Sequence, residues 1–316
     1  MHPRKLQMIG GKTYAVTLPK EWAKNAGIAP KDVMFIEEKD SETLILKTSQ
    51  STDTCNIDRI FLNTDDYKEN LAQVFFASYY LGMETIIIHC PKGFNTQTKN
   101  TLKKALCHMS GTEITYEDKN KIKIKTLLDH TKLTLNQIFI RIQYIISELI
   151  DNLITSDYDA MEDNENEIDR LYNLANKKIL HSDKNCGTIT KESIKTPAQS
   201  LAYFLIAKKL ENIGDDLYSI GNVIKSDRSL ITEIKKPVIM IREELKTKIK
   251  YLTGNKKASM LKSAVLRSNI LKDDVGRIKN IELRIHIDRI LRAIKDIEME
   301  IINICFYEEL NEKSAM

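Results

Sequence analysis

The chain is poor in the residues that build disulfide frameworks, zinc ribbons and membrane spans. Its five cysteines are scattered through 316 residues and never form a C-x-x-C pair. This spacing excludes a disulfide scaffold and a zinc ribbon, and it fits a reducing compartment. The most apolar helix candidate, residues 133–154, is interrupted by Arg141, Glu148 and Asp151 and so cannot span a bilayer. No secretory signal is visible, and we expect a cytoplasmic protein without membrane insertion.

Catalytic arrangements are also scarce. The six histidines are dispersed, and no nucleophile is paired with a base in the sequence. A di-iron carboxylate oxidase, the enzyme class considered for an acidic helical bundle, needs a Glu-x-x-His on each of two helices. No glutamate here has a histidine three residues on, and the nearest pair, Glu282 and His286, is four apart. We therefore expect that the protein is not an enzyme.

The composition that remains is that of an ordinary multidomain protein. Apolar residues make up 42% and charged residues 29% of the chain, and the net charge is +4. Residues 55–125 alternate between strand-like and helical patterns in a β-α-β-α-β order, which predicts a small α/β domain after a polar linker at 49–54. From residue 127 onward apolar residues recur every three or four positions, which predicts long helices packed in bundles. We expect a mostly α-helical fold.

The first fifty residues have a different pattern. Strand-like runs at 5–9 and 13–18 flank a glycine turn, a short helix follows at 19–27, and two further β-rich runs lie at 33–38 and 43–47. A module of this size buries too little core to be stable alone. It should therefore dimerise or pack on a larger body.

This module is also basic at its leading end. Before residue 32 a single acid, Glu21, is set against six bases: Arg4, Lys5, Lys12, Lys20, Lys24 and Lys31. Such an excess favours contact with nucleic acid phosphates. The candidate DNA-binding residues are Arg4, Lys5, Lys12, Thr13, Thr17 and Lys20. We expect them to position the protein on the DNA backbone, because base readout cannot be assigned from the sequence.

The same segment resembles the AbrB/SpoVT/MazE-type swapped-hairpin domain. The residues that carry the family pattern are Val16, Leu18, Pro19, Trp22, Gly27, Ile28 and Asp32. The resemblance implies an interlocked homodimer, over residues 1–50, that presents basic strands and loops to DNA. Some members of this family serve only for dimerisation or as antitoxins, so a purely dimerising role is the alternative.

Two pairs of carboxylates stand out in the helical region. Glu165 with Asp169 and Glu211 with Asp215 are each four residues apart, so each pair lies on one face of a helix. If the two helices pack antiparallel, all four carboxylates converge and repel one another unless a cation compensates them. All-oxygen ligands favour a hard divalent or trivalent ion such as Fe, Mn, Mg or Ca. The alternative is a solvated acidic face.

From residue 127 onward the chain is similar to the PhoU family, whose E-x-x-x-D motifs bind metal clusters. The residues that match the family motifs are Glu167, Ile168, Asp169, Arg170, Leu171, Glu211, Ile213, Gly214 and Asp215. With the N-terminal module, the arrangement is of the archaeal type and covers the whole chain. The resemblance implies two PhoU-like three-helix bundles, at 127–226 and 230–316, which a weak internal repeat at an offset of 81 also favours. In the second repeat the motif glutamate is Arg292, which we expect to pair with Asp296 in place of a metal.

These patterns lead to two functional hypotheses. The first is a DNA-binding transcriptional regulator of phosphate uptake and homeostasis, with metal-binding sensory bundles. The second is an accessory regulator that contacts a phosphate transporter or signalling protein and uses the N-terminal module only to dimerise. A steep dependence of DNA affinity on salt distinguishes the two.

Overall fold

The fold is given by a computed structural model that describes residues 3–40, 43–48, 59–127, 133–184, 194, 196–254 and 274–314. Within these ranges the chain is mostly helical, with three small β-sheets, as expected from the sequence. Contacts divide it into an N-terminal unit, Met1–Asn56, and a larger unit that includes Ile57–Asn185 and Thr190–Met316. The predicted linker at 49–54 lies outside the described residues.

The N-terminal unit consists of two β-hairpins with a short helix between them. Its elements are β1 (Gln7–Ile9), β2 (Thr13–Ala15), α1 (Lys20–Asn25), β3 (Phe35–Asp40) and β4 (Thr43–Lys47). Each hairpin is a separate antiparallel two-stranded sheet. Gly10 and Gly11 have φ angles of 61° and 67°, so the turn between β1 and β2 uses backbone conformations that favour glycine. The predicted hairpin–helix–hairpin order is confirmed, although β1 and β2 are shorter than the predicted runs at 5–9 and 13–18.

The larger unit begins with an α/β domain. Its elements are β5 (Arg59–Asn63), α2 (Thr64–Tyr67), a 3₁₀ turn (Lys68–Asn70), α3 (Leu71–Tyr80), β6 (Thr85–His89), α4 (Thr96–Cys107), β7 (Thr112–Glu117) and β8 (Lys121–Thr126). The sheet order is β5-β6-β8-β7, in which β5 and β6 are parallel and the other neighbours antiparallel. The parallel pair needs a crossover, which α2 and α3 supply.

The helices of this domain cover one face of its sheet. Alternate strand residues such as Leu62, Ile88 and Ile124 pack with Phe75 of α3 and Leu102 of α4 in one core. The opposite face has no helix of the domain in this core. The predicted alternation of strands and helices is therefore present as a small mixed sheet, with one face packed by α3 and α4.

The rest of the larger unit is a helical body. The structure describes α5 (Leu135–Thr155), α6 (Tyr158–Lys184), α7 (Pro197–Ser226), a 3₁₀ turn (Arg228–Leu230), α8 (Ile231–Leu252) and α9 (Ile281–Ser314). Thr134 and Gln137 form a capping box at the start of α5. Thr196 caps α7, and Pro197 follows as its first residue. Pro237 lies inside α8.

Helix α7 is at the centre of this body and packs against α5, α6 and α9. An apolar stripe along α7, at the spacing of three or four that predicts a packed helix, is buried throughout: Ile206, Leu210, Ile213, Leu217, Ile220 and Ile224. An offset of 81 residues aligns α7 with α9, which pack on each other. The division into two three-helix repeats stays a prediction. Among the described residues, no helix combines the length and apolar character needed to cross a membrane.

Candidate metal centre and nucleic-acid interface

Helices α6 and α7 run antiparallel. An added Cβ at Gly214 of α7 would lie 3.0 Å from Ile168 Cδ1 of α6. Gly221, about two turns further along α7, faces Met161, which lies earlier in α6. The residue numbers rise along one helix as they fall along the other. The two glycines let the backbones approach closely, because a side chain at either position would separate the helices. The condition for convergence of the predicted carboxylates is therefore met.

Three of the four predicted metal ligands come together at this seam. Glu165, Asp169 and Asp215 each offer a carboxylate oxygen, and these oxygens all lie within 4.8 Å of one another. The fourth residue, Glu211, is diverted: Lys208 donates from Nζ to both of its carboxylate oxygens at 2.6 Å. We refer to Glu165, Asp169 and Asp215 as the acidic triad.

Burial and mutual repulsion raise the pKa values of the triad. Desolvation, then the charges of Asp169 and Asp215, raise the pKa of Glu165 to about 7. Desolvation, then Glu211 and Asp169, raise the pKa of Asp215 to about 6. Burial also raises the pKa of Asp169. A cation would relieve this repulsion, since it favours the charged carboxylates.

The donor set fits a hard cation. All three donors are carboxylate oxygens, which Mg, Ca, Mn and Fe bind and thiolate-seeking metals do not prefer. Oxygens bound to such an ion at about 2.0–2.4 Å are separated by at most about twice that bond length. The triad oxygens lie within 4.8 Å of one another, close enough for all three to face one ion.

The α/β domain contributes a hydroxyl to the edge of the triad. Tyr80 at the end of α3 donates to Asn173 Oδ1 of α6. Burial, then nearby Tyr172, Asp169 and Glu211, raise the pKa of Tyr80 to about 12. The sequence analysis missed this residue, because only the docking of α3 on α6 brings it to the seam.

Two basic groups near the acids were also missed. Lys208 lies three residues before Glu211, a helical spacing that could have predicted the ion pair. His108 is close enough for its charge to lower the pKa of Asp169. It follows α4 in the chain, and no local sequence signal connects it with α6.

The ion pair predicted for the second repeat is wrong. Arg292 pairs with Asp288 at 2.7 Å, and Asp296 pairs with Lys209 at 2.6 Å. Lys209 lies on α7, which packs on α9, so Asp296 has a partner across the helix interface and Arg292 turns back one helical turn. Asp296 is still neutralised by a base, but the bond joins α9 to α7.

A groove between α7 and α9 borders the triad. It has a volume of about 520 Å³, and Asp215 lines it together with Asp216, His286 and Arg289. The ring nitrogen Nδ1 of His286 lies 2.7 Å from Asp216 Oδ1. The groove gives an ion a path from solvent to Asp215.

The predicted DNA-binding residues are all exposed on the N-terminal unit. Lys12 lies in the turn between β1 and β2, Thr13 begins β2, and Lys20 begins α1. Arg4 and Lys5 precede β1, and the last member of the set, Thr17, follows β2. All six side chains are therefore accessible to a phosphate backbone.

No residue of this unit is buried among those whose exposure the structure describes. Its exposed apolar side chains are Leu6, Met8, Ile9, Tyr14, Val16, Trp22, Val33, Ile36, Leu44 and Ile45. A stable domain of this size needs to bury such side chains. The unit thus has the apolar residues of a core and no core of its own.

Comparison with known proteins gives a match to this same segment. Residues 7–53 match the family model described as antidote-toxin recognition MazE, bacterial antitoxin. No curated protein and no solved structure matches the chain. The similarity of the helical body to the PhoU family has no support from these comparisons and stays a prediction. The first fifty residues are thus a MazE/AbrB-like module on a mostly helical protein.

Proposed function

We propose that the protein is a DNA-binding transcriptional regulator whose MazE/AbrB-like module dimerises and contacts DNA. The observation that carries this proposal is the match of residues 7–53 to the MazE model, together with the exposed basic side chains of that segment. A second copy of the module would cover the exposed apolar side chains and complete a shared core. The dimer would then present two sets of bases to the duplex.

In this proposal, the six exposed residues of the module bind the DNA backbone. Arg4, Lys5, Lys12 and Lys20 pair with phosphates, and the hydroxyls of Thr13 and Thr17 donate hydrogen bonds to phosphate oxygens. Each neutralised phosphate releases counterions, so affinity should fall steeply as salt rises.

The helical body is the sensory part of the proposed regulator. Glu165, Asp169 and Asp215 would hold the cation, and Glu211 would remain paired with Lys208. A bound cation supplies positive charge that neutralises the triad and holds α6 against α7. The control of phosphate uptake and homeostasis is proposed from the resemblance to PhoU.

An accessory regulator that acts only through protein contacts is the second candidate. Helix α9 supports it with exposed apolar side chains at helical spacing: Ile281, Ile285, Met299, Ile302 and Phe306. An exposed apolar stripe of this kind is typical of a protein interface. In this alternative a phosphate transporter or signalling protein would bind the body, and the N-terminal module would only dimerise. Neither candidate needs a catalytic residue.

Replacement of two bases of the module tests the first proposal. We expect Arg4→Ala with Lys5→Ala to weaken binding to a labelled duplex of random sequence and to lower the log–log salt slope. Each phosphate contact that is lost should reduce the magnitude of that slope by about 0.9. Fluorescence anisotropy measures the affinity at several salt concentrations, and light scattering should show that the variant is still dimeric.

The matched control is Lys103→Ala with Lys104→Ala on α4, which removes the same charge from the α/β domain. It should bind the duplex like the wild type. An unchanged slope in the N-terminal variant would contradict the DNA contact assigned to Arg4 and Lys5.

A further inference from the structure

The sheet of the α/β domain has one face that α3 and α4 do not cover. Side chains alternate along a strand. Ile122 and Ile124 of β8 are buried against the helices, so the lysines that alternate with them point away from the helices. We call this side the open face and define it by Arg59, Phe61, Tyr116, Lys121, Lys123 and Lys125.

Two aromatic rings lie on one cross-strand row of the open face. Phe61 of β5 is opposite Ile87, Ile87 is opposite Lys123, and Lys123 is opposite Tyr116 of β7. The side chain of Phe61 is 68% exposed and that of Tyr116 is 50% exposed, while Ile87 between the strands is buried. A single exposed aromatic is common, but two in one row form a platform for flat ligands.

The Tyr116 ring is held in place. Its hydroxyl donates to Asp118 Oδ2 at 2.7 Å, and Asp118 Oδ1 accepts from the backbone N–H groups of Asn120 and Lys121. Lys121 Nζ lies 6.0 Å from the centre of the same ring. The platform is thus ordered by the turn between β7 and β8.

The charge of the open face is mainly positive. Lys121, Lys123 and Lys125 lie on it because they alternate with two buried isoleucines. Arg59 of β5 and Lys125 of β8 both lie opposite Thr85 of β6, one on each side of it. Across the described ranges, Arg59, Lys123 and Lys125 form no ion pair. The register partner of Lys125 on β7 is the acid Glu113. These cations are available to an anionic partner.

We propose that the open face binds single-stranded nucleic acid. Nucleobases stack on Phe61 and Tyr116. The phosphates between them pair with Lys123 and with the other basic side chains of the open face. Four strands at about 4.8 Å spacing span roughly 14 Å, which is wider than the major groove of a duplex at about 12 Å. A sheet face of this width does not fit into that groove, so it suits unpaired bases better than a closed double helix. This surface is separate from the residues proposed to contact duplex DNA.

The probe is a fluorescein-labelled oligouridylate of 15 nucleotides, which forms no duplex, and its anisotropy is measured with the full-length protein. Phe61→Leu should weaken binding roughly 5- to 100-fold, because leucine is apolar but cannot stack with a base. Phe61→Trp should keep or improve the affinity. Phe61 is largely exposed, so neither variant should disturb the core.

Charge is tested separately with Lys121→Gln, Lys123→Gln and Lys125→Gln combined. The log–log salt slope should fall by about 2, since each phosphate contact of a single strand contributes about 0.7. Lys103→Gln with Lys104→Gln on α4 is the matched control and should leave the slope unchanged.

Arg4→Ala with Lys5→Ala should not affect oligouridylate binding, and Phe61→Leu should not affect duplex binding. The two surfaces can therefore fail independently. The inference is overturned if the wild type does not bind the oligonucleotide at low salt, if Phe61→Leu binds it as well as the wild type, or if the N-terminal variant alone abolishes binding. Binding of an oligoglutamate peptide with no oligonucleotide binding would also overturn it, because the face would then serve an acidic protein.

Discussion

At the scale of single residues, the acidic triad is a cluster of carboxylates whose pKa values are all raised. Glu165 and Asp169 are partly buried, and Asp215 is exposed. Near neutral pH the raised pKa keeps Glu165 partly protonated, and a bound cation would favour its charged form. Protons and cations compete for the same oxygens, so metal affinity must depend on pH.

We predict that Mn²⁺ binding to the full-length protein strengthens between pH 6 and pH 8, because Glu165 and Asp215 lose their protons in that range. Asp215→Asn should weaken binding on the order of tenfold or more, since it removes one charged ligand. Glu211→Gln should have a smaller effect because Glu211 is paired with Lys208. Titration calorimetry measures both. Asp163→Asn, an exposed change on the same helix, is the control, and equal binding by the Asp215 variant would contradict the site.

A second residue-scale prediction concerns Lys177 of α6, whose side chain is 1% exposed. Its Nζ lies 4.2 Å from the centre of the Tyr79 ring and 3.4 Å from Thr126 Oγ1. No carboxylate of the described chain forms an ion pair with it, and burial lowers its pKa from 10.5 to about 8. The unfolded chain therefore binds more protons than the folded one between about pH 8 and pH 10.5, so stability rises with pH in that window.

We expect the free energy of unfolding to increase by about 1–2 kcal/mol from pH 7.5 to pH 9.5 in the wild type relative to Lys177→Met. Urea unfolding at the two pH values measures the difference, and subtraction of the variant cancels the titration of all other groups. Parallel pH curves for the two proteins would show that Lys177 keeps an ordinary pKa.

At the scale of elements, α6 joins the two parts of the larger unit. One side of it carries Glu165 and Asp169 towards α7. Further along, Arg170 Nη1 donates to Ser110 Oγ at 3.2 Å, and Asn173 Nδ2 donates to the carbonyl of His108 at 3.2 Å. The same helix thus contacts both the candidate metal centre and the α/β domain.

We predict that Asn173→Ala loosens the α/β domain from α6. The change leaves the hydroxyl of Tyr80 and the carbonyl of His108 without their partner, which costs about 1–3 kcal/mol for buried polar groups. Hydrogen exchange should become faster at the end of α3 and in the segment after α4. Asn166→Ala, at an exposed position of α6, is the control and should leave exchange in these segments unchanged. Unchanged exchange in Asn173→Ala would show that the contact does not hold the α/β domain on α6.

Elements and sites differ in how far local chemistry determines them. The turn at Gly10 and Gly11 and the start of α7 at Thr196 and Pro197 follow from short-range rules, and both were predictable. The triad was predictable from the two i, i+4 pairs. The pairing of Glu211 with Lys208 was not, because the sequence alone allows Glu211 either that ion pair or a place in the metal site. Tyr80 reaches the seam only through tertiary docking, which no local pattern encodes.

At the scale of the whole molecule, the N-terminal module and the helical body have different proposed roles. The MazE/AbrB-like module provides exposed bases and an incomplete core, and the helical body provides a candidate ion site and apolar surface. Pattern and composition predicted the order of these parts along the chain. The pairing of Asp296 was mispredicted because it depends on which helix α9 packs against.

The most direct test of the proposed regulator is selection of sheared genomic DNA by the full-length protein near physiological salt, followed by sequencing. The Arg4→Ala, Lys5→Ala variant is processed in parallel. The account predicts that the wild type enriches discrete sites and that the variant loses them. Absence of enriched sites with the wild type, or the same sites enriched by the variant, would contradict the claim that the N-terminal module binds DNA.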